Sequence, residues 1–266
     1  MMECYRKFAV DLAREAGILL KNRLNEKHVV DYKGEINIVT EADRMSEALI
    51  VKRIYENYPL HDILTEESEG IDRGAEFRWI IDPLDGTTNY AHGYPVFCVS
   101  IALEYRGCID LGVIYNPMLD EMFVAVNGQG AFLNDMRISV SPTTDISKSL
   151  LATGFPYDIR NNSNNNINYF SRMAQNAQAI RRAGSAALDM AYVASGRFDG
   201  FWELKLMPWD MAAGSLLILE AGGVITELFG DTFHLRSEHV LATNGKIHHK
   251  MIHILKKADT ASQPGY

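Results

Sequence analysis

The hydrophobic period changes along this chain, and that change constrains the fold more than any other feature. Near the N-terminus Tyr5, Phe8, Ala9, Leu12, Ala13, Ala16 and Leu20 recur at helical spacing, which predicts an amphipathic helix. A second helix starts after Thr40 and carries Met45, Leu49 and Ile54 to about Tyr58, with Pro59 beyond it. From Val96 to Phe132 the pattern becomes that of strands. VFCVSIALEY, IDLGVIY and EMFVAV are separated by Arg-Gly, Asn-Pro and Asn-Gly, which reads as an antiparallel meander. The second half alternates: strand SLLATG, a helix near 167–177, strand QAIRR and helix GSAALDMAYVASG, then strand FDGFWE, helix DMAAGSLLILEAGG and strand GVITEL. These segments suggest layered sheets and helices in one continuous body. Only NNSNNNIN (161–168) is low in complexity, and it suits a solvated, mobile loop.

Size and charge exclude several classes. A chain of 266 residues can bury one large core or two closely joined subdomains. The formal charge of −8 argues against nucleic acid or an anionic membrane as a direct ligand. No stretch approaches the roughly 20 apolar residues of a membrane span. MMECYRKFAVDLAREAG mixes charges into its apolar residues, so it does not read as a signal peptide. Cys4, Cys98 and Cys108 lack metal-ligand spacing, which predicts reduced core thiols and a cytoplasmic protein.

One stretch carries chemistry. In WIIDPLDGTTNYAH (79–92), Trp79, Ile80 and Ile81 read as a short buried strand that Pro83 should stop near Asp82. Asp82 and Asp85 flank that proline, and the Leu84 carbonyl is free to point where they point. Gly86 permits a tight turn, and Thr87 or Thr88 can cap a helix whose first amides would attract phosphate. Oxygen ligands beside an anion cradle suit Mg²⁺, which binds through one or two carboxylates and substrate phosphate. An Asp-Pro turn with an Asx cap gives a bland alternative. Further acids tip the balance: Glu66 and Glu67 in ILTEESEG, and Asp210 in PWDMAAG, where a helix-capping role is also open.

WIIDPLDGTTNY, with TEES upstream and PWDMAAGSLLILEAGG downstream, resembles the inositol monophosphatase family. The likeness runs from KGEINIVTEAD through LLATGFPY and RRAGSAALDMAYVASGRFDGFWE to the final helix. It implies an α+β fold, a layered α-β-α-β-α sandwich of the inositol monophosphatase and fructose-1,6-bisphosphatase type. A half spanning 1–150 would carry most metal ligands, and a half spanning 151–266 would supply Asp210 and the substrate rim. It also implies a homodimer, two or three Mg²⁺ per active site, sensitivity to lithium, and phosphomonoester hydrolysis.

Carried over by position, Glu66, Asp82 and the Leu84 carbonyl would hold one Mg²⁺, and Asp82, Asp85 and Asp210 a second. Glu66 and Thr87 would position the attacking water, with Asp43 supporting Thr87 and Lys33 on a loop near the site. The Gly86 and Thr87 amides would bind phosphate, while Gly184, Ala186 and Glu203 would face the alcohol. The expected substrate is an inositol monophosphate or a similar small polyol or sugar phosphate. Fructose 1,6-bisphosphate and NADP(H) are alternatives, as is a regulatory role with RNA-processing or transcription partners. Bland readings stand beside these. Asp43 completes a capping box with Thr40, and Lys33 reads equally as an ordinary loop lysine. Arg181 and Arg182 read first as structural contacts, with an anion or a neighbouring subunit as alternatives, and the adjacent His248 and His249 read as surface residues.

Overall fold

The computed structural model describes residues 2–26, 30–32 and 38–260. Helix α1 (Met2–Arg23) buries Tyr5, Ala9, Leu12, Ala13, Ala16, Gly17 and Leu20 on one stripe, as their spacing requires. Strands β1 (Val30–Tyr32) and β2 (Ile38–Thr40) pair antiparallel and lead into helix α2 (Glu41–Asn57). Thr40 caps α2, and the Asp43 carboxylate reaches back to the Thr40 N–H, so the expected capping box forms.

Seven strands follow in one sheet whose spatial order is the chain order: β3 (Asp62–Thr65), β4 (Phe77–Asp85), β5 (Cys98–Tyr105), β6 (Cys108–Asn116), β7 (Glu121–Val126), β8 (Gly130–Leu133) and β9 (Met136–Arg137). The short helix α3 (Thr87–Ala91) lies between β4 and β5. β3 and β4 are parallel, and the rest is the expected meander extended by a hairpin. At the β5–β6 turn Arg106 and Gly107 have φ of 49° and 85°, the paired positive values that a tight hairpin needs.

The second half builds a five-stranded sheet. Its elements are β10 (Leu150–Thr153), α4 (Ile167–Ala174), β11 (Ala179–Arg181), α5 (Ala186–Ala194), β12 (Gly200–Leu204), α6 (Pro208–Glu220), β13 (Val224–Thr226), β14 (His239–Thr243) and α7 (His248–Thr260). The strand order is β11-β10-β12-β14-β13, with β10 parallel to both of its neighbours.

Alternation along the strands explains the layers. On β4, Trp79 and Ile81 pack under α1 and α2 with Leu12, Leu20, Ile50 and Ile54, while Ile80 faces the other way. Ile80 joins Met190, Ala213 and Leu217 from α5 and α6, with Phe201 of β12 beyond them. Trp202, the next residue on β12, points to the far face and packs with Met173 of α4 and Met251 of α7. The order is therefore α-β-α-β-α. Since α6 lies between two sheets, Met211 through Ile218 are all buried, and small residues let it approach. A Cβ on Gly112 of β6 would come within 2.9 Å of the Ala213 backbone, so only glycine admits that contact.

Four expectations are corrected. β4 continues through Pro83 to Asp85, because a register shift opposite β5 takes the proline out of the ladder. Residues 161–168 are not uniformly a solvated loop: Asn166 is buried, donating to Thr153 and the Gly154 carbonyl and accepting from Trp202 Nε1, while Ile167 and Asn168 begin α4. Cys98 alone is a core thiol; Cys4 and Cys108 are exposed, and all three are free. His248 is no surface residue, since its ring is buried between the Thr226 and Thr243 hydroxyls.

Candidate active site

The fold brings the acidic segments to one cavity of about 440 Å³. Parallel pairing of β3 with β4 aligns their C-terminal ends, so Glu66, just past β3, stands beside Asp82, Leu84 and Asp85. Asp210 enters from the first turn of α6, and Gly86 and Thr87 from the start of α3. Gly184 and Ala186 line the cavity too, with Gly184 close against Gly86, as does Glu203 of β12. Asp43 stands one contact behind, and Lys33 lies outside the described residues. Gly86, at φ 103°, caps α3 itself, so Thr87 and Thr88 are not the N-cap and the Thr87 hydroxyl is left for other partners.

Asp82, Asp85 and Asp210 are each held through one carboxylate oxygen. Asp82 Oδ1 accepts from the Leu84 N–H at 3.0 Å, and Asp210 Oδ2 accepts from the Met207 N–H at 2.7 Å. Asp85 Oδ2 accepts from the Ser185 hydroxyl at 2.6 Å and the Ala187 N–H at 2.7 Å, with the Cys98 thiol 3.7 Å away. Glu47 of α2 takes both the Thr65 hydroxyl and the Glu67 N–H, which fixes the backbone on either side of Glu66. Thr87 Oγ1 stands 2.8 Å from Asp43 Oδ1 and 3.1 Å from the Leu84 carbonyl. A hydroxyl has one proton; given to Asp43, it leaves the lone pairs of Thr87 as acceptors.

The electrostatics follow from crowding. Burial, and then Glu66, Asp85 and Asp210, push Asp82 well above the usual carboxylate range. Burial also raises Asp85 against its hydrogen bonds, and burial followed by Asp85 raises Asp210 well above that range. Glu203 is pushed up to about 8 by burial and then by Asp85, with Arg182 opposing. Such a cluster holds its charge only with positive charge nearby.

The donor set fits a hard cation. It is all oxygen, and the tethered carboxylates have a second oxygen to offer. Among the described residues no three acidic, histidine or cysteine side chains converge on one point as ligands. Mg²⁺ does not require that convergence, because it keeps several waters and takes one or two carboxylates per ion.

Several residues of the site were not legible in the sequence. Ser185 and the Ala187 N–H, which orient Asp85, lie about 100 positions further along the chain. Asn89 donates to the Val96 and Ala183 carbonyls and so ties α3 to the Gly184 segment. Asp189 also lines the cavity, as does Arg182, for which the sequence left anion binding open behind a structural contact. A signal existed for Ser185, since Ser-Ala-Ala-Leu is a helix start, and its hydroxyl does cap α5 at the Leu188 N–H.

The inositol monophosphatase family model matches residues 1–260. The Nus factor SuhB of Escherichia coli K12 is 42% identical over 244 residues, covering 90% of this chain and 91% of that protein. The inositol-1-monophosphatase of Synechocystis sp. PCC 6803 is 42% identical over 252 residues, covering 94% and 88%. The solved inositol monophosphatase of Anabaena (Nostoc) sp. PCC 7120 superposes with a TM-score of 0.88 at 43% identity, covering 96% of each chain.

Proposed function

This chain belongs to the inositol monophosphatase family, and on that premise we propose that it is a Mg²⁺-dependent phosphatase of inositol monophosphates and similar small polyol or sugar phosphates. One observation carries the reading. Glu66 past the end of β3, Asp82, Leu84 and Asp85 of β4, and Asp210 of α6 line a single cavity beside Gly86 and Thr87. Glu66, Asp82 and the Leu84 carbonyl would hold one ion, and Asp82, Asp85 and Asp210 another. Bound there, two or three Mg²⁺ would make a water acidic enough to attack and would neutralise charge on the leaving oxygen.

The protein's own groups do the rest. Thr87, its proton given to Asp43, accepts from the attacking water and aims it, with Glu66 as the second acceptor. The Gly86 and Thr87 amides hold phosphate oxygens through the dipoles of the helix start. Gly184, Ala186 and Glu203 receive the alcohol half. Glu203 accepts from hydroxyls but repels a second phosphate, which ranks fructose 1,6-bisphosphate and NADP(H) below monophosphates. Among the described residues no helix is long and apolar enough to cross a membrane. A cytoplasmic homodimer, sensitive to lithium, completes the proposal, and sedimentation tests the dimer.

The test is phosphate release over a panel of phosphomonoesters with and without Mg²⁺. Mg²⁺-dependent release, greatest for inositol monophosphates, is expected. No release from any ester would overturn the reading, and a higher kcat/KM for a bisphosphate would overturn the ranking. The relatives called Nus factors favour a second reading, an added role with a transcription partner. An effect on transcript elongation that survives Asp85→Asn would separate that role from hydrolysis.

A further inference from the structure

Asp189 sits on α5, one turn after the Ser185 cap, and lines the same cavity as Glu203. It is 1% exposed, yet its Oδ1 has no hydrogen-bond partner among the described residues. Of the four buried side-chain polar atoms left in that condition, it is the one in the cavity wall. Native proteins rarely leave a buried acceptor unmatched, so such an atom calls for a partner.

The residue has no evident structural duty. The α5 cap is the Ser185 hydroxyl, and the Asp189 N–H is spent on the Ser185 carbonyl. Its place is nevertheless fixed. Asp85 holds the helix start through Ser185 and Ala187, and the next side chain, Met190, packs directly on Gly214 of α6. Glu203 lies near enough to raise the Asp189 carboxyl further after burial, and Arg182 at the mouth opposes both. Two acidic groups thus line one cavity.

We propose that Asp189 is a second polyol-recognition residue, whose carboxyl turns to meet a substrate hydroxyl beside the one met by Glu203. The proposal rests on the phosphatase reading and deepens it: the site reads two hydroxyls, which selects cyclic polyols over simple alkyl or aryl alcohols. A group with a single polar contact would not separate these classes so well.

The experiment measures kcat and KM of wild type, Asp189→Ala and Asp189→Asn with Mg²⁺. Its substrates are inositol 1-phosphate, analogues each lacking one ring hydroxyl, and 4-nitrophenyl phosphate. For Asp189→Ala, KM for inositol 1-phosphate should rise about 10-fold, the upper range for one ordinary hydrogen bond. The aryl ester should change by less than about 2-fold. One deoxy analogue should already be poor for wild type and lose nothing further in the variant, a non-additivity that a packing role would not produce. Equal losses on both esters, or losses additive with every analogue, would overturn the proposal. Should Asp189→Ala fail to fold, Asp189→Asn decides: the same single analogue must account for its change in KM, and an unchanged KM overturns the assignment. Wild type inactive on both esters would bring down the phosphatase reading and this inference together. Wild-type turnover without a selective variant effect would remove Asp189 alone.

Discussion

Gly154, just past the end of β10, has no side chain, and the Glu203 carboxylate lies where a side chain would be. A Cβ built there would overlap Oε1, Cδ and Oε2 of Glu203. The Gly154 φ lies outside the left-handed region, so the backbone itself accepts alanine. Relief therefore comes from the far end of a flexible side chain, at an overpacking cost of about 1–3 kcal/mol. To restore van der Waals contact the carboxylate must swing away by roughly 1.5 Å, and a displacement of about 1 Å can already cost about 100-fold in a positioned site. Gly154→Ala should accordingly raise KM for inositol 1-phosphate by about 10- to 100-fold, equivalent to roughly 1.4–2.8 kcal/mol. Hydrolysis of 4-nitrophenyl phosphate should stay near wild type. The assay is phosphate release on both esters, with Tm recorded for each protein. Combining Gly154→Ala with Glu203→Ala should add nothing to Glu203→Ala alone, since both act through one carboxylate. Additive losses, or an equal loss on the aryl ester, would refute the reasoning.

Asp85→Asn and Asp210→Asn should each remove nearly all turnover while circular dichroism stays native, since a lost ligand charge weakens stabilisation worth several kcal/mol; near-normal kcat at saturating Mg²⁺ in either would contradict the ligand assignment. Thr87→Ala should cut kcat strongly with little change in Mg²⁺ affinity, whereas Asp43→Asn should combine a loss of kcat with about 1 kcal/mol of stability from the α2 cap. Equal stability losses in the two variants would mean that Thr87 serves the fold. A pH dependence follows from the raised carboxyls. A folded-state value above the unfolded one adds stability at low pH that is lost as pH rises through it, a window that extends up to Glu203 at about 8. In chelator, Tm should fall between about pH 5 and 8, and the Tm gain on adding Mg²⁺ should grow over that interval, because proton and cation compete for the same oxygens. A gain independent of pH would count against shared ligands.

The acids were legible because each sits in a local motif. Asp82 and Asp85 share one turn, and Glu66 and Asp210 flank short apolar runs, so strand ends and helix starts could be read from neighbours. What steers them was not legible, because Glu47 and Ser185 are distant in sequence and ordinary where they stand. β4 passes Pro83 only because β5 shifts register opposite it, which depends on a strand not yet formed when the proline is read. Asn166 shows a limit of composition: five neighbours of similar character are solvated, while this one turns inward to Trp202 Nε1. Helix face decided the histidine, since the first turn of α7 packs against β13 and β14 and carries His248 inward.

The grip of Ser185 on Asp85, across 100 residues, has a consequence for how the protein comes alive. β4 and its acids can pair with β5 while the C-terminal third is still unfolded, yet Asp85 then lacks the donors that aim it. Asp210 and Glu203 arrive later still, on α6 and β12. Closing so long a loop is slow relative to local hairpins, so the sheet forms early and the aimed carboxylates late. During refolding, circular dichroism should recover before tight Mg²⁺ binding does. If that order holds, a chain emerging from the ribosome gains its proposed ion site only once its second sheet has docked.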